Sequence, residues 1–141
     1  MSLAFQGDVL VKGVANGEVL YLQEPLSFWG GFNPDNGEII DTHHPQFQQV
    51  VTDKILIIVS SRGSAGTPGG IAETLRNGSG PAAFVLVERD VNIGVGVLVA
   101  NRLYQMEVPV IAIGQNQLCQ FSSGQQVSID ASGELRISEP V

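Results

Sequence analysis

Positive charge is scarce in this chain: seven Lys and Arg stand against fourteen Asp and Glu among 141 residues, a formal net charge of −7. Phosphate backbones and anionic membranes are held by clustered Lys and Arg, so a nonspecific nucleic-acid or membrane-surface role is disfavoured. Cysteine is scarcer still. The one thiol, Cys119, has no partner for an internal disulfide, which makes the cytoplasm the expected compartment and leaves the Asn77 sequon idle. Long apolar runs are also missing, and none approaches a membrane span. The amino-terminal "MSLAFQGDVLVKG" has no basic region followed by a long apolar segment, so neither a secretory signal nor an anchor is expected, and its first three residues are given no structural weight.

What is present is enough apolar material for one core. With 43% hydrophobic residues over 141 positions, a single domain covering residues 1–141 is the expected organisation. Charged residues make up only 15% of the chain, which points to some apolar surface being kept for a partner.

Hydrophobic patterning orders the elements. "DVLVKGVANGEVLYL" alternates and predicts two short strands around a turn at Asn16-Gly17. A loop-rich segment follows, "EPLSFWGGFNPDNGEIIDTHHP", with a tight turn at "PDNG". "KILIIV", Lys54 to Val59, is short, apolar and β-branched, as a buried strand should be. Thr67-Pro68 then predicts a helix start with Thr67 as N-cap, and Asn77-Gly78 predicts its left-handed end. Ala82 to Glu88 gives the next strand. "VNIGVGVLVANRLYQM" has strand-like residues but the length of a buried helix, and length decides for helix. "VPVIAIG" predicts another strand, and "QQVSIDASGELRI" a closing hairpin around Ser132-Gly133. The middle therefore runs strand, helix, strand, helix, strand, the pattern of an α/β domain with a central parallel sheet, here flanked by antiparallel strands.

In such sheets ligands gather beyond the carboxyl ends of the strands. "SSRGSAGTPGG", Ser60 to Gly70, falls there. It leads into a helix N-terminus, where unpartnered N–H groups and the helix dipole favour an anion, and Arg62 adds a planar fork suited to a carboxylate or phosphate. Ser64 is then a nucleophile, a base once ionised, or only a loop cap, and strand-to-helix turns carry such residues for conformational reasons alone. The loop is not a Walker phosphate loop, lacking Gly-Lys-Ser/Thr, nor a nucleophile elbow. "GVG" at Gly94 to Gly96 does not follow a strand end as a dinucleotide turn requires, so helix packing is its expected role. His43 and His44 are adjacent, point to opposite faces in extended backbone and make a poor chelating pair; both are expected at the surface or at an interface. Cys119 is expected to pack as a small apolar residue, and Trp29 to anchor a turn beside Gly30-Gly31.

Three ordered motifs together resemble a known family. "LSFWGGFNPDNGEIIDTHHP", "SSRGSAG" after an apolar strand, and "TLRNGSGPAAFVLVERD" with "VPVIAIG" are similar to the small subunit of aconitase X, over a span from about Gly7 to about Ile137. The resemblance implies a swivelling β/β/α domain. It also implies a hydro-lyase subunit acting on a small anionic substrate: cis-3-hydroxy-L-proline in bacteria, the first choice for this chain, or mevalonate 5-phosphate in archaea. The family's Arg-Gly-Ser maps onto Arg62, Gly63 and Ser64. By that mapping Ser64 is the base that removes the proton next to the substrate carboxylate, while Arg62, Gly63, Ser61 and Thr67 hold the substrate. No cofactor is implied on this chain; iron or an iron-sulfur cluster belongs to the large subunit and acts as Lewis acid on the departing hydroxyl. Where relatives continue with further Ser and Gly, this chain has "AGTPGG", and Ser61 stands where glycine is common.

A helix terminus supplies about 0.3–1 kcal/mol, or about 2 when partly buried, whereas one pKa unit is about 1.4 kcal/mol. The turn alone therefore lowers a serine pKa by only about one unit. Further positive charge has to come from a second polypeptide, which makes the large subunit the expected partner. The rival expectation is a non-catalytic module whose loop holds an anion or a partner's carboxylate.

Overall fold

A computed structural model describes residues 2–28, 30–61 and 66–138. Ten strands and three helices follow one another in these residues: β1 Ser2–Gln6, β2 Asp8–Val11, β3 Ala15–Tyr21, β4 Phe32–Asn33, β5 Glu38–Ile39, β6 Ile55–Ile58, α1 Thr67–Arg76, β7 Ala83–Leu86, α2 Val91–Tyr104, β8 Val110–Ala112, α3 Gln115–Leu118, β9 Gln126–Ile129 and β10 Glu134–Ser138. Eight strands form one sheet in the order β1-β10-β9-β3-β6-β7-β8-β2, and β4 and β5 make a separate hairpin across the "PDNG" turn. β3, β6, β7 and β8 are mutually parallel, while antiparallel strands flank them on both sides.

The strand period of two divides the core into two layers. Leu56 and Ile58 of β6, with Phe84 and Leu86 of β7, pack with Ile71 and Leu75 of α1 and Ile93, Val97 and Ala100 of α2. Their neighbours Ile55, Ile57, Ala83 and Val85 face the opposite way, onto Val127, Ile129, Leu135 and Ile137 of the β9–β10 ribbon. All four residues of β6 and of β7 are consequently buried, which is why these strands read as unbroken apolar runs. Both helices share one face because strand order advances in one direction from β6 to β8. The result is helix layer, parallel sheet and antiparallel ribbon, as the β/β/α expectation required.

Helix ends follow local chemistry. At the end of α1, Gly78 takes φ +76°, its N–H donates to Leu75 O (3.1 Å) and the Ser79 N–H donates to Thr74 O (3.2 Å). This is the paired closure that a left-handed glycine permits. The "GVG" segment lies inside α2, where Gly96 meets Pro68 and Ile71 of α1. α2 leaves Val91, Val95, Leu98 and Leu103 exposed on its outer side.

Three expectations need correction. Asn16 and Gly17 are not a turn but lie within β3, opposite Ser128 and Val127 of β9. A side chain at Gly17 would stand 2.7 Å from the Asp53 carbonyl oxygen, so this glycine serves close backbone approach. The chain bends instead between β2 and β3, where Gly13 lies against Glu107 and the Val14 N–H donates to the Glu107 carbonyl (3.0 Å). β2 and β3 are not partners; β2 borders β8. Second, Ser2 and Leu3 are structural, pairing with Ser138 and Ile137 of β10. Third, α1 begins one residue earlier than expected: Gly66 is its N-cap and Thr67 its first helical residue.

Candidate functional site

The Ser60 to Gly70 loop leaves the carboxyl end of β6 and returns at the start of α1. Arg62, Gly63 and Ser64 lie outside the described residues, as does Trp29. Ser61 and Thr67 bracket the loop, and both are fixed by identifiable contacts or burial.

Ser61 bridges to Leu26 in parallel fashion. Its N–H and its hydroxyl both donate to Oδ2 of Asp90, at 2.8 and 2.5 Å. Asp90 is the N-cap of α2, and its Oδ1 accepts the Ile93 N–H at 3.2 Å. One carboxylate thus ties the exit of β6 to the start of α2, while the Glu88 N–H donates to the Val59 carbonyl (3.0 Å) between the same two segments. Sequence reasoning missed Asp90. Its signal was there, an Asp directly before an apolar helical run, but it marked only a cap.

At the other end of the loop Thr67 is fully buried, and among the described residues its hydroxyl has no hydrogen-bond partner. α1 carries no acidic residue in its first turn, so the dipole there is not offset from within the helix. Gly70 lets α1 settle on the preceding segment: a Cβ there would lie 2.1 Å from the Phe28 carbonyl oxygen.

That preceding segment is itself held from behind. His44 is buried rather than at the surface, which corrects the expectation for it; its Nδ1 accepts the Gln46 N–H (3.0 Å) and its Nε2 donates to the Glu24 carbonyl (3.0 Å). These partners assign the tautomer with hydrogen on Nε2. Gln46 in turn accepts the Gln23 N–H through Oε1 (3.2 Å). The "DTHHP" motif therefore braces residues 23–26, and Leu26 meets Ser61. His43 is exposed, as expected. Cys119 is exposed too, against the expectation that it packs inside, because α3 turns it away from Leu118, which takes the core position.

Among the described residues no three His, Cys, Asp or Glu side chains converge to hold a metal, so these residues do not fit an iron site. Nor, among them, is any helix long and apolar enough to cross a membrane.

A mixed domain of helix layer, parallel sheet and antiparallel ribbon, with the chain passing from β6 through the serine motif into α1, is the swivel class of fold. The family described as the aconitase X swivel domain matches residues 4–137, and the chain belongs to it. The chain is similar to the cis-3-hydroxy-L-proline dehydratase of Hypocrea jecorina, at 32% identity over 126 residues that cover 89% of this chain and 21% of that protein. It thus spans about a fifth of that relative's length. It is also similar to the phosphomevalonate dehydratase small subunit of Pyrococcus furiosus, at 30% identity with 96% of each chain covered. Among solved structures, the holo-form of Thermococcus kodakaraensis aconitase X superposes with a TM-score of 0.86 at 28% identity, covering 97% of this chain and 99% of that one.

Proposed function

We propose that this chain is the serine-bearing small subunit of a heteromeric cytoplasmic hydro-lyase that dehydrates cis-3-hydroxy-L-proline once joined to a large, iron-carrying subunit. Ser64 is the base. As the alkoxide it takes the proton from the carbon beside the substrate carboxylate, the electron pair released forms the double bond as the hydroxyl departs, and the proton then held on Ser64 passes to that hydroxide, which leaves as water and restores the alkoxide. Arg62 and the Gly63 amide hold the anionic part of the substrate, Thr67 closes the cradle at the helix end, and Ser61, whose N–H and hydroxyl are both given to Asp90, anchors its other end. What supports this is where the two ends of the loop stand: Ser61, held by Asp90, and the first turn of α1, which carries no acidic residue. The helix dipole favours negative charge at that second end.

A second substrate is favoured by one observation. The chain matches the Pyrococcus furiosus phosphomevalonate dehydratase small subunit along nearly its whole length, so mevalonate 5-phosphate is the alternative.

Co-expression with a large subunit, followed by assays of both compounds, tests the proposal. The assembled complex dehydrates one of them, this chain alone dehydrates neither, and Ser64→Ala lowers kcat by about 10²–10⁴-fold while the complex stays intact. Full activity of that variant rejects Ser64 as base. An assembled complex active on neither compound leaves the non-catalytic binding module as the better description.

A further inference from the structure

We infer that Asp90 is a positioning residue for the reaction, holding the serine loop at its point of departure; this rests on the function proposed above. Three donors converge on its carboxylate from two different elements. The Ile93 N–H reaches Oδ1 at 3.2 Å, and the Ser61 N–H and hydroxyl reach Oδ2 at 2.8 and 2.5 Å. Capping α2 needs only one acceptor, and Ser, Thr or Asn would serve. Holding both donors of Ser61 while capping needs a second oxygen with no hydrogen of its own. A carboxylate has it, whereas an amide would turn its NH2 toward the Ser61 N–H. The residue type at position 90 therefore matches the double duty and not the cap alone.

The tie stands close in sequence to the proposed base. Ser61 is three residues ahead of Ser64, and no other side chain among those described bonds to it. Its remaining contact, the bridge to Leu26, belongs to a segment braced by His44 and Gln46. Asp90 thus fixes the loop origin relative to α2 as well as to β6. A shift of about 1 Å at a reacting group costs on the order of 10²-fold in rate, so loosening this tie acts on turnover more than on substrate binding. Half-exposed as it is, the 2.5 Å contact is charge-assisted and short.

The experiment uses the complex of this chain with the large subunit and whichever of the two substrates it dehydrates. Asp90→Ser keeps a cap for α2 and removes the hold on Ser61. The expected result is wild-type subunit stoichiometry, kcat lower by about 10–100-fold and KM within about threefold. Because both residues act through one contact, Ser61→Ala added to Asp90→Ser lowers kcat no further. Unchanged kcat in Asp90→Ser, or effects that multiply independently in the double variant, overturns the inference. If Asp90→Ser fails to assemble, Ser61→Ala and Ser61→Thr decide: a kcat loss at constant KM in the first, restored by the hydroxyl of the second, supports the tie, and equal kcat in all three forms overturns it. Ser64→Ala in parallel separates the two levels. A dead Ser64→Ala beside a fully active Asp90→Ser rejects the positioning role alone, whereas a fully active Ser64→Ala rejects the functional reading beneath it.

Discussion

Gly96 of α2 faces Pro68 of α1 so closely that a Cβ on it would sit 2.8 Å from the Pro68 carbonyl oxygen and 3.0 Å from the Ile71 Cβ. Two residues earlier, Gly94 has open space where its side chain would be. The same substitution should therefore have opposite signs. Gly94→Ala gains helix propensity and stabilises by about 1 kcal/mol, whereas Gly96→Ala forces the helices apart and costs about 1–3 kcal/mol. Urea unfolding of the two variants, compared at constant m-value, checks this.

Thr67→Val replaces a buried hydroxyl that lacks a partner among the described residues with a methyl group of similar shape. Such an orphan costs about 1–3 kcal/mol, so the variant should be more stable, by about 1 kcal/mol after imperfect fit. If Thr67 contributes to the substrate cradle, kcat/KM of the assembled complex falls by about tenfold, the size of one lost hydrogen bond. A variant that is stabilised and fully active would remove Thr67 from the site.

His44→Ala leaves the buried Gln46 N–H without its partner and removes the ring that bonds the Glu24 carbonyl. A loss of about 2–4 kcal/mol is expected. His43→Ala, one residue away and exposed, should change stability by less than about 0.5 kcal/mol. Thermal and urea unfolding distinguish the two.

Asp130 closes the β9–β10 hairpin by accepting from the Ser132 hydroxyl (2.6 Å), the Ser132 N–H (2.9 Å) and the Glu134 N–H (3.1 Å). These bonds, the Ser132 hydroxyl foremost, hold its carboxyl below the usual aspartate range. A lowered folded pKa means that the stabilisation is complete above the unfolded value near 4 and is lost as pH falls through the lower folded value. The stability difference between the wild type and Asp130→Ala should be largest at neutral pH and shrink in acid. A difference that does not change between pH 7 and pH 2 would contradict it.

The central elements were legible because each announces itself locally. β6 and β7 are apolar on both faces, Gly78 ends α1, and the length of residues 91–106 outweighed their strand-like side chains. What escaped depends on contacts distant in sequence. A glycine that admits a neighbouring backbone, like Gly17 beside Asp53, has the same signature as a glycine in a turn. Of two adjacent histidines, which one is buried is decided by the Glu24 carbonyl, twenty residues away from His44. At the site, the family motif pointed to the loop, but the partner of Ser61 lies 29 residues downstream and carried only a capping signal. Ser64 rests on the motif alone.

β3 takes part in two ladders, antiparallel to β9 along Ala15–Glu18 and parallel to β6 along Val19–Tyr21. It works as the zip between ribbon and helix-backed sheet, so neither half can peel away without undoing the other's border. Were it to lift, the bare flank of β6 would become an adhesive edge for other chains. Slow amide exchange should accordingly be shared by Val19–Tyr21 and β9 as one cooperative block, even though most of the chain's length separates them.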